Sequence, residues 1–497
     1  MSIFGTEFAT RVPQQQRMRK SLPFLSLLFL LFLPFAGFPV TKVFNISITV
    51  KGLNDQKGIM AYYADDKKYI FDTLDFDSKG VCRIKGEKDI PDGVYLMAFP
   101  SRNFEMFDFI IHGENAFSMS TDTINLIEHM QVNNSLENKV MYEDLKFMVP
   151  LGKISDSLKK TMKAELEGSD KYNKAEKELK EQSEQIKAHR EKIVEAYPKT
   201  FYANLIRLMQ EPEVPKEYLY KNGTWKDTSG AADYIRDHYF DVINFADTGY
   251  IRCPVYKNFV ISYFDNYVIP VPDTMNVYID KLIEKAGVNK EQFQYILSVL
   301  FNKYANSQIM GYDAIMVHMA EKYFLSGMAW WSEPDNLKKL RERVEAVKPT
   351  LIGQTAPNFI FQDSTLKSYS FHSLVPKKRY TMLVFWNSDC GHCQHEIPAL
   401  KKKFEDSLKT FDFQVVAVST EQTDSSFRAF TRKNTSAEWV TGWDPWGQSA
   451  FRHDYDVIST PKIYIIDRQY KILGKGVGVD DLYKFLEFYS REPEAKN

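Results

Sequence analysis

Two cysteines separated by two residues give the strongest chemical signal in this sequence. Cys390 and Cys393 lie in the segment FWNSDCGHCQHEIP, residues 385–398. The apolar segment before them predicts a strand and the segment after them predicts a helix, so Cys390 would lie at a helix N-terminus. Unpaired N–H groups and the helix dipole favour a thiolate there. A thiolate attacks a substrate disulfide and a second thiol releases the product, so the pair is expected to act as a redox-active disulfide without a bound cofactor.

Metal binding is the competing use of such a cysteine pair. A structural zinc site requires a second Cys or His pair of matching spacing. The remaining cysteines, Cys82 and Cys253, are isolated, while His392 and His395 lie within the turn that holds the motif. The sequence therefore predicts no metal site. Cys82 and Cys253 are interpreted as buried or incidental thiols, with a disulfide between them as the alternative.

The elements that would position the pair alternate between strands and helices over residues 350–497. Strands are predicted at TMLVFWN and FQVVAVST, and a strand pair at IYIID and YKILGKG. Helices are predicted from Gly391 to about Leu408, at SSFRAFTRKN and at DDLYKFLEFYSRE. Because strand–helix–strand crossovers imply parallel pairing, this region is predicted to be an α/β domain.

Residues 350–497 resemble the exported thioredoxin-fold thiol–disulfide oxidoreductases of the TlpA/ResA type. The resemblance is carried by GQTAPNF at 353–359, Phe385-Trp386, Cys390-Gly391-His392-Cys393, Glu396, Pro398, and Thr460-Pro461 within VISTPKIYIID. It implies a thioredoxin fold and a cis peptide bond before Pro461, which suits docking of an extended substrate.

The resemblance also implies roles for single residues. Cys390 would be the nucleophile, Cys393 the resolving thiol, and Glu396 the group that takes or supplies the proton of Cys393. The alternative for Glu396 is an ordinary residue of the helix surface. Five further residues would form or support the substrate groove: Trp386, Gly391, His392, Thr460 and Pro461.

Departures from the thioredoxin pattern leave the direction of electron flow open. Val384 stands where thioredoxin has a buried Asp, so that proton-handling group is missing. Asp389 replaces the Trp that precedes the first cysteine, and its charge opposes a thiolate at Cys390. Protonated His392 would favour the thiolate, and the Gly-His pair resembles that of protein disulfide isomerase, a more oxidising enzyme.

Peroxiredoxins share the thioredoxin fold but place a Thr and a Pro before their reactive cysteine. Asn387 and Ser388 occupy that region here. Peroxide reduction is therefore not expected.

The upstream chain is predicted to form two further domains. Residues 42–135 contain short strand-like segments punctuated by glycines, which predicts an all-β domain, a small antiparallel sandwich or barrel. Residues 136–348 show helical periodicity and are predicted to be an α-helical domain. Both regions resemble uncharacterised domains joined to such thioredoxins in Gram-negative envelope proteins, and that resemblance brings no assigned chemistry.

A charged stretch in the middle region, Ser155 to Ala196, is predicted to be a long solvated helix packed on its own domain. Its apolar stripe has near-heptad spacing, with Tyr172, Ala175, Leu179, Ile186 and Ile193 interrupted by Gln182 and His189. The alternative is an oligomeric coiled coil, for which fewer than four clean heptads are present. The sequence does not predict the oligomeric state.

The N-terminus has the pattern of a targeting signal. A basic cluster at residues 17–20 precedes the apolar run SLPFLSLLFLLFLPFAG, residues 21–37. This run has the length of a signal-peptide core and is short for a membrane-spanning helix, which needs about 20 residues. Residues 1–37 are predicted to be a signal peptide, with an uncleaved N-terminal anchor as the alternative. The expected location is the periplasm or cell envelope, where dithiol chemistry is meaningful.

Composition limits the partners that the protein can have. The chain of 497 residues has 64 Lys and Arg against 65 Asp and Glu, and its net charge of −1 gives no support for nucleic-acid binding. The expected activity is reduction or exchange of disulfides in envelope proteins, recycled by a membrane electron donor. The rival hypothesis is a partner-binding or scaffold protein of the envelope that carries an accessory thioredoxin domain.

Overall fold

The structure is a computed structural model that describes residues 42–491 apart from 66, 211, 222–223, 226–228 and 422. The predicted signal peptide, residues 1–37, lies outside the described residues. The described residues divide into two compact units: those up to Pro270 with Tyr278–Val299 form the first, and Val271–Val277 with those from Leu300 onward form the second. None of the described helices is long and apolar enough to span a membrane.

The described part of the first unit begins with eight strands in two four-stranded sheets. The strands are β1 (Lys42–Lys51), β2 (Lys57–Ala64), β3 (Lys67–Asp75), β4 (Val81–Lys88), β5 (Gly93–Phe99), β6 (Glu105–Ile111), β7 (Ala116–Asp122) and β8 (Gln131–Asn133). The sheet orders are β4-β1-β7-β8 and β3-β2-β5-β6. The all-β prediction is confirmed, but β1 and β7 pair in parallel, so the expectation of antiparallel pairing is wrong for this pair.

Alternation of apolar and polar residues explains these strands. In β1 every second residue from Phe44 to Val50 is buried, and the residues between them are partly or fully exposed. β5 is buried at every residue, which indicates that both of its faces are covered. Asn138 satisfies backbone groups on the edge strand β6. Its side chain accepts the N–H of Ile110 at 2.7 Å and donates to the carbonyl of Ile110 at 2.8 Å.

Ten α-helices follow in the described middle region. They are α1 (Leu136–Ala164), α2 (Asp170–Ala196), α3 (Phe201–Leu208), α4 (Lys216–Leu219), α5 (Ser229–His238), α6 (Tyr256–Asn266), α7 (Pro272–Ala286), α8 (Lys290–Ala305), α9 (Asp313–Met319) and α10 (Pro334–Val347). Between α4 and α5 lie the two-residue strands β9 (Tyr220–Lys221) and β10 (Thr224–Trp225). α7 and α8 contribute to both compact units, whereas α9 and α10 belong to the second.

The charged stretch 155–196 is not the single helix that its sequence predicts. A turn separates α1 from α2: Gly168 has a φ of 83°, and the Ser169 side chain caps the N-terminus of α2. The Gln182 side chain, part of the predicted stripe, is buried and accepts a hydrogen bond from Ser155 of α1 at 2.6 Å. This part of the stripe therefore packs within its own unit.

A seven-stranded sheet forms the centre of the second unit's described residues. Its strands are β11 (Ile360–Gln362), β12 (Ser368–Ser370), β13 (Tyr380–Trp386), β14 (Phe413–Ser419), β15 (Val440–Trp443), β16 (Lys462–Asp467) and β17 (Ile472–Lys475), in the order β12-β11-β15-β14-β13-β16-β17. The helices that follow β13 are α11 (Gly391–Asp406), α12 (Asp424–Asn434), α13 (Phe451–Asp454) and α14 (Leu482–Arg491). The prediction of a C-terminal α/β domain is confirmed.

The central strand β13 positions the cysteine motif. β13 is parallel to β14 and antiparallel to β16, and all of its residues are buried. Val384 and Trp386 belong to the apolar cluster that includes α11, whereas Phe385 belongs to the cluster on the other side of the sheet. Because β13 ends at Trp386 and α11 begins at Gly391, the motif lies at the carboxyl end of this strand, where open α/β sheets bind their ligands.

Candidate functional site

The first cysteine caps the N-terminus of α11. Cys390 has extended backbone angles, φ −82° and ψ 115°, and its carbonyl accepts the N–H of Gln394 at 3.1 Å. Gly391 and His392 are exposed, Cys390 is half-buried, and Cys393 is fully buried one turn later. Both cysteines are free thiols, so the structure describes the reduced form of the pair.

The two thiols differ in acidity. Burial opposes ionisation of Cys390, but hydrogen bonds from the Thr460 side chain and from the backbone N–H groups of Cys393 and His392 outweigh it and keep the pKa of Cys390 below its usual value. Burial raises the pKa of Cys393 to about 11. Cys390 is therefore the thiol that ionises first, which is the property that a nucleophile needs.

The loop before β16 lies directly against the nucleophile. The Cys390 thiol donates a hydrogen bond to the Thr460 carbonyl at 2.9 Å, and the peptide bond between Thr460 and Pro461 is cis, as the resemblance implies. Thr460 and Pro461 are half-buried, and the neighbouring Ile458 is 69% exposed. The Thr460 carbonyl thus lies beside the reactive sulfur, and an exposed apolar side chain is two residues away along the same loop.

Trp386 does not line this groove. Its side chain is fully buried and stacks on Phe430 and Phe427, with ring centroids 4.4 and 6.2 Å away. The sequence analysis placed Trp386 among the residues that form or support the groove, packed beneath the motif. Its position as the last residue of β13, within the apolar cluster that includes α11, fits the supporting part of that interpretation.

Glu396 lies on α11, one turn after Cys393, and is half-buried. No hydrogen bond joins Glu396 to either thiol among the described residues, so its role in proton transfer stays a prediction. Val384, at the position where thioredoxin has its buried Asp, is fully buried in the apolar cluster and offers no ionisable group.

A second carboxylate, Glu421, supports the motif and was not predicted from the sequence. It is 7% exposed and accepts the backbone N–H of Ser388, two residues before Cys390. Its own N–H donates to the Ser419 hydroxyl at 3.1 Å. The available signal was its place just after β14, because the ends of neighbouring parallel strands meet at one edge of a sheet.

The other two cysteines are not part of this site. Cys82 and Cys253 are buried in the first unit, and neither is in a disulfide, so the alternative of a bridge between them is not formed. Burial raises the pKa of Cys253 to about 12. Among the described residues no group of His, Cys, Asp and Glu side chains has the arrangement of a metal site.

Family models match three successive parts of the chain. The AhpC/TSA family matches residues 352–474, a domain of unknown function (DUF5106) matches residues 167–349, and a second one (DUF4369) matches residues 44–141. The first match contains both cysteines of the motif and Pro461. A comparison with curated proteins finds no match.

Several solved structures are similar to this chain. A thioredoxin-like protein from Bacteroides caccae is 21% identical over 56% of this chain and 98% of its own, with a TM-score of 0.45. A domain of a possible thiol-disulfide isomerase from Cytophaga hutchinsonii is 31% identical over 28% of this chain and 94% of its own, with a TM-score of 0.27. The thioredoxin domain of a thiol-disulfide oxidoreductase from Bacteroides vulgatus is 25% identical over 28% and 96%, with a TM-score of 0.25.

The family match and the site geometry agree on the C-terminal region. It is a thioredoxin-like thiol–disulfide oxidoreductase domain with a Cys-x-x-Cys pair, preceded by two domains of unknown function. The three-part fold and the recognition of the thioredoxin-like domain from the sequence are thereby confirmed.

Proposed function

We propose that this protein, whose residues 352–474 belong to the AhpC/TSA family, is an exported thiol–disulfide oxidoreductase acting on proteins of the cell envelope. The observation that carries the proposal is the asymmetry of the thiol pair. Cys390 is accessible and has a lowered pKa, whereas Cys393 is buried with a pKa of about 11. One thiol is ready to attack and the other is protected until a mixed disulfide forms.

The proposed reaction moves two electrons. The Cys390 thiolate attacks one sulfur of a substrate disulfide, that S–S bond breaks, and the departing sulfur leaves as a thiolate that takes a proton. Cys393 then loses its proton and attacks the Cys390 sulfur, which breaks the mixed disulfide. The substrate leaves as a dithiol and the enzyme holds a Cys390–Cys393 disulfide. The reverse sequence oxidises a substrate dithiol.

The second step requires a base near Cys393, because a thiol with a pKa of about 11 is almost wholly protonated at neutral pH. Glu396 is the proposed base, since it lies one turn further along α11. Its carboxylate would take the proton as Cys393 attacks and return it when the disulfide is reduced again.

The surface beside Cys390 favours an extended polypeptide as substrate. The Thr460 carbonyl and Pro461 lie next to the nucleophile, and the exposed Ile458 adds an apolar contact. A peptide that docks along this loop uses main-chain hydrogen bonds for affinity and side-chain contacts for selectivity. Gly391 and His392, both exposed, leave the approach to the sulfur open.

The proposed compartment follows from the apolar run at residues 21–37 and from the chemistry. A dithiol that reduces envelope proteins is itself oxidised in each cycle, so a membrane dithiol donor must supply two electrons to the Cys390–Cys393 disulfide. Fractionation of the native host, followed by detection of this chain in the envelope or in the cytoplasm, tests the location.

Insulin reduction tests the activity. Changing Cys390 to Ser in the purified chain is expected to lower turnover on the order of 1,000-fold, because the nucleophile is lost. Changing Cys393 to Ser is expected to accumulate a mixed disulfide between Cys390 and the substrate. The matched control is the double change of Cys82 and Cys253 to Ser, which should keep the activity.

Retained insulin reduction in the Cys390→Ser protein would contradict the proposal. An inactive wild-type protein would favour the rival function, in which the first unit binds an envelope partner and the thioredoxin-like domain is an accessory.

A further inference from the structure

One ion pair joins a helix upstream of the family-matched thioredoxin region to the loop that carries Pro461. Arg343 lies on α10, inside the match to DUF5106 and outside the match to the AhpC/TSA family. α10 nevertheless belongs to the same compact unit as the seven-stranded sheet. The Arg343 guanidinium donates a hydrogen bond to the carboxylate of Asp456 and pairs with its charge.

We call residues 456–462 the substrate loop. Asp456, its first residue, contacts residues near both ends of this loop. Asp456 is 5% exposed. Its carbonyl accepts the N–H of Ile458 at 3.0 Å, and its carboxylate pairs with Lys462 at 3.3 Å. Because Ile458 and Lys462 flank Thr460 and Pro461, a movement of Asp456 moves the part of the loop that faces the nucleophile.

The substrate loop is in direct contact with Cys390 through the Thr460 carbonyl, which accepts the thiol at 2.9 Å. Ile458 and Ser459 are exposed on the same loop. A displaced loop would therefore alter the surface on which a peptide docks while leaving both thiols on α11 in place.

We propose that Arg343 is a positioning residue that fixes the substrate loop beside Cys390 by holding the carboxylate of Asp456. A buried carboxylate needs charged partners, because a buried charge without compensation is strongly unfavourable. Lys462 supplies one positive charge at 3.3 Å and Arg343 supplies the other. Without Arg343, Asp456 is expected to turn toward water and carry the loop with it. The proposal rests on the proposed function, since it gives an upstream helix a part in that same site.

A second link between the helical segment and the sheet provides an internal comparison. Lys475 of β17 pairs with Asp313 of α9 and donates to the Thr350 carbonyl at 3.1 Å. This link also ties helices to the sheet, but Lys475 contacts neither Asp456 nor the substrate loop in these interactions. A change in this link therefore distinguishes an effect on general stability from an effect on the position of the substrate loop.

The experiment measures the kinetics of reduction of a disulfide-containing peptide by the full chain. Arg343→Ala is expected to raise KM for the peptide about fivefold, the size of one lost polar contact, and to change kcat less than about twofold. Alkylation of Cys390 by iodoacetamide, which needs no docking surface, should change less than KM does, because the backbone N–H groups of Cys393 and His392 stay beside the sulfur when the loop moves. Arg343→Lys, which keeps the charge, should restore most of the affinity.

Three further proteins serve as controls. Arg341→Ala removes an exposed cation from the same helix and should leave KM unchanged. Asp313→Asn should lower the stability against urea without raising KM. Asp456→Asn should raise KM as Arg343→Ala does, and the double variant should show no additional increase, because both changes break the same contact.

The outcomes separate this proposal from the one on which it rests. A wild-type chain that reduces no disulfide overturns the proposed function itself. An active wild-type chain whose KM is unaffected by Arg343→Ala, or changes equally in Asp313→Asn, overturns the positioning role and leaves the proposed function standing.

Discussion

One cysteine in each compact unit interacts with backbone N–H groups, yet the pKa values of the two thiols are shifted in opposite directions. Cys253 of the first unit interacts with the N–H groups of Val255 and Tyr256, yet burial dominates and raises its pKa to about 12. Cys390 of the second unit also interacts with backbone N–H groups, and its pKa lies below the usual value. Cys253 is 1% exposed, whereas Cys390 is half-buried.

The difference shows that backbone N–H groups alone do not produce a reactive thiol. Desolvation disfavours the thiolate in both places, and only the less buried sulfur keeps enough water for the hydrogen bonds to decide its acidity. The end of β13 provides such a place, since the strand stops at Trp386 and α11 begins only at Gly391.

The largest expected effect compares these two sulfurs directly. At pH 7 iodoacetamide should modify Cys390 at least about 100-fold faster than Cys253, since the thiolate is the reactive form and Cys253 is inaccessible. The Cys390 rate should rise with pH through a midpoint that lies below that of an ordinary cysteine thiol, because the pKa of Cys390 is lowered. Peptide mapping by mass spectrometry measures both rates. Equal rates of modification of the two residues in the folded protein would contradict the expected difference in their reactivity.

A smaller effect concerns a titratable pair that serves the stability of the first unit. Burial opposes the charged form of His112, but its hydrogen bond with Asp247 at 2.8 Å outweighs burial and raises the pKa of His112 above 6.5. A raised folded-state pKa stabilises the fold below pH 6.5, and this contribution is lost as pH rises through the folded-state value. His112→Gln should therefore cost about 1 kcal/mol at pH 6 and less at pH 8.

Urea unfolding at pH 6 and at pH 8, monitored by a probe in the first unit, measures this difference in the free energy of unfolding. His129→Gln is the matched control, because His129 also pairs with an aspartate, Asp122, at 2.7 Å but is more exposed. A cost for His112→Gln that is the same at pH 6 and pH 8 would exclude a charged His112 as the cause.

The smallest expected effect compares two buried carboxylates. Glu137 and Glu421 are each 7% exposed and each accept backbone N–H groups: Glu137 those of Phe201 and Tyr202 at the start of α3, Glu421 that of Ser388 beside the motif. Glu421→Gln should change the rate of mixed-disulfide formation about threefold, as the turn before Cys390 loses a charge-assisted hydrogen bond.

Glu137→Gln is the matched control, and it should lower stability without changing the exchange rate. Stopped-flow measurement of mixed-disulfide formation compares the two variants. The supporting role of Glu421 would be refuted by equal rates in wild type and Glu421→Gln.

The features that the sequence predicted are those with a local pattern. The Cys-x-x-Cys spacing, the apolar run of β13 and the helix that follows the motif are close together in the chain, and each is present in the structure. The cis peptide before Pro461 was accessible only through the family resemblance.

The features that the sequence missed depend on contacts between distant segments. β1 pairs in parallel with β7, about 70 residues away, and no local signal encodes that register. Glu421 reaches Ser388 across the sheet edge, and Asp456 meets Arg343 over more than 100 residues. The turn before α2 had a local signal, Gly168 followed by the capping Ser169, which the charge pattern of the stretch obscured.

Cys390 and Cys393 are expected to form a reversible two-electron couple. Equilibrating the purified chain in graded dithiol buffers and trapping the free thiols at each position measures it. We expect a single two-electron transition shared by Cys390 and Cys393, with Cys82 and Cys253 unchanged throughout. A midpoint near about −270 mV would indicate a reductase, and one between about −180 and −120 mV an isomerase or oxidant. A pair that shows no reversible transition would refute the thiol–disulfide oxidoreductase function.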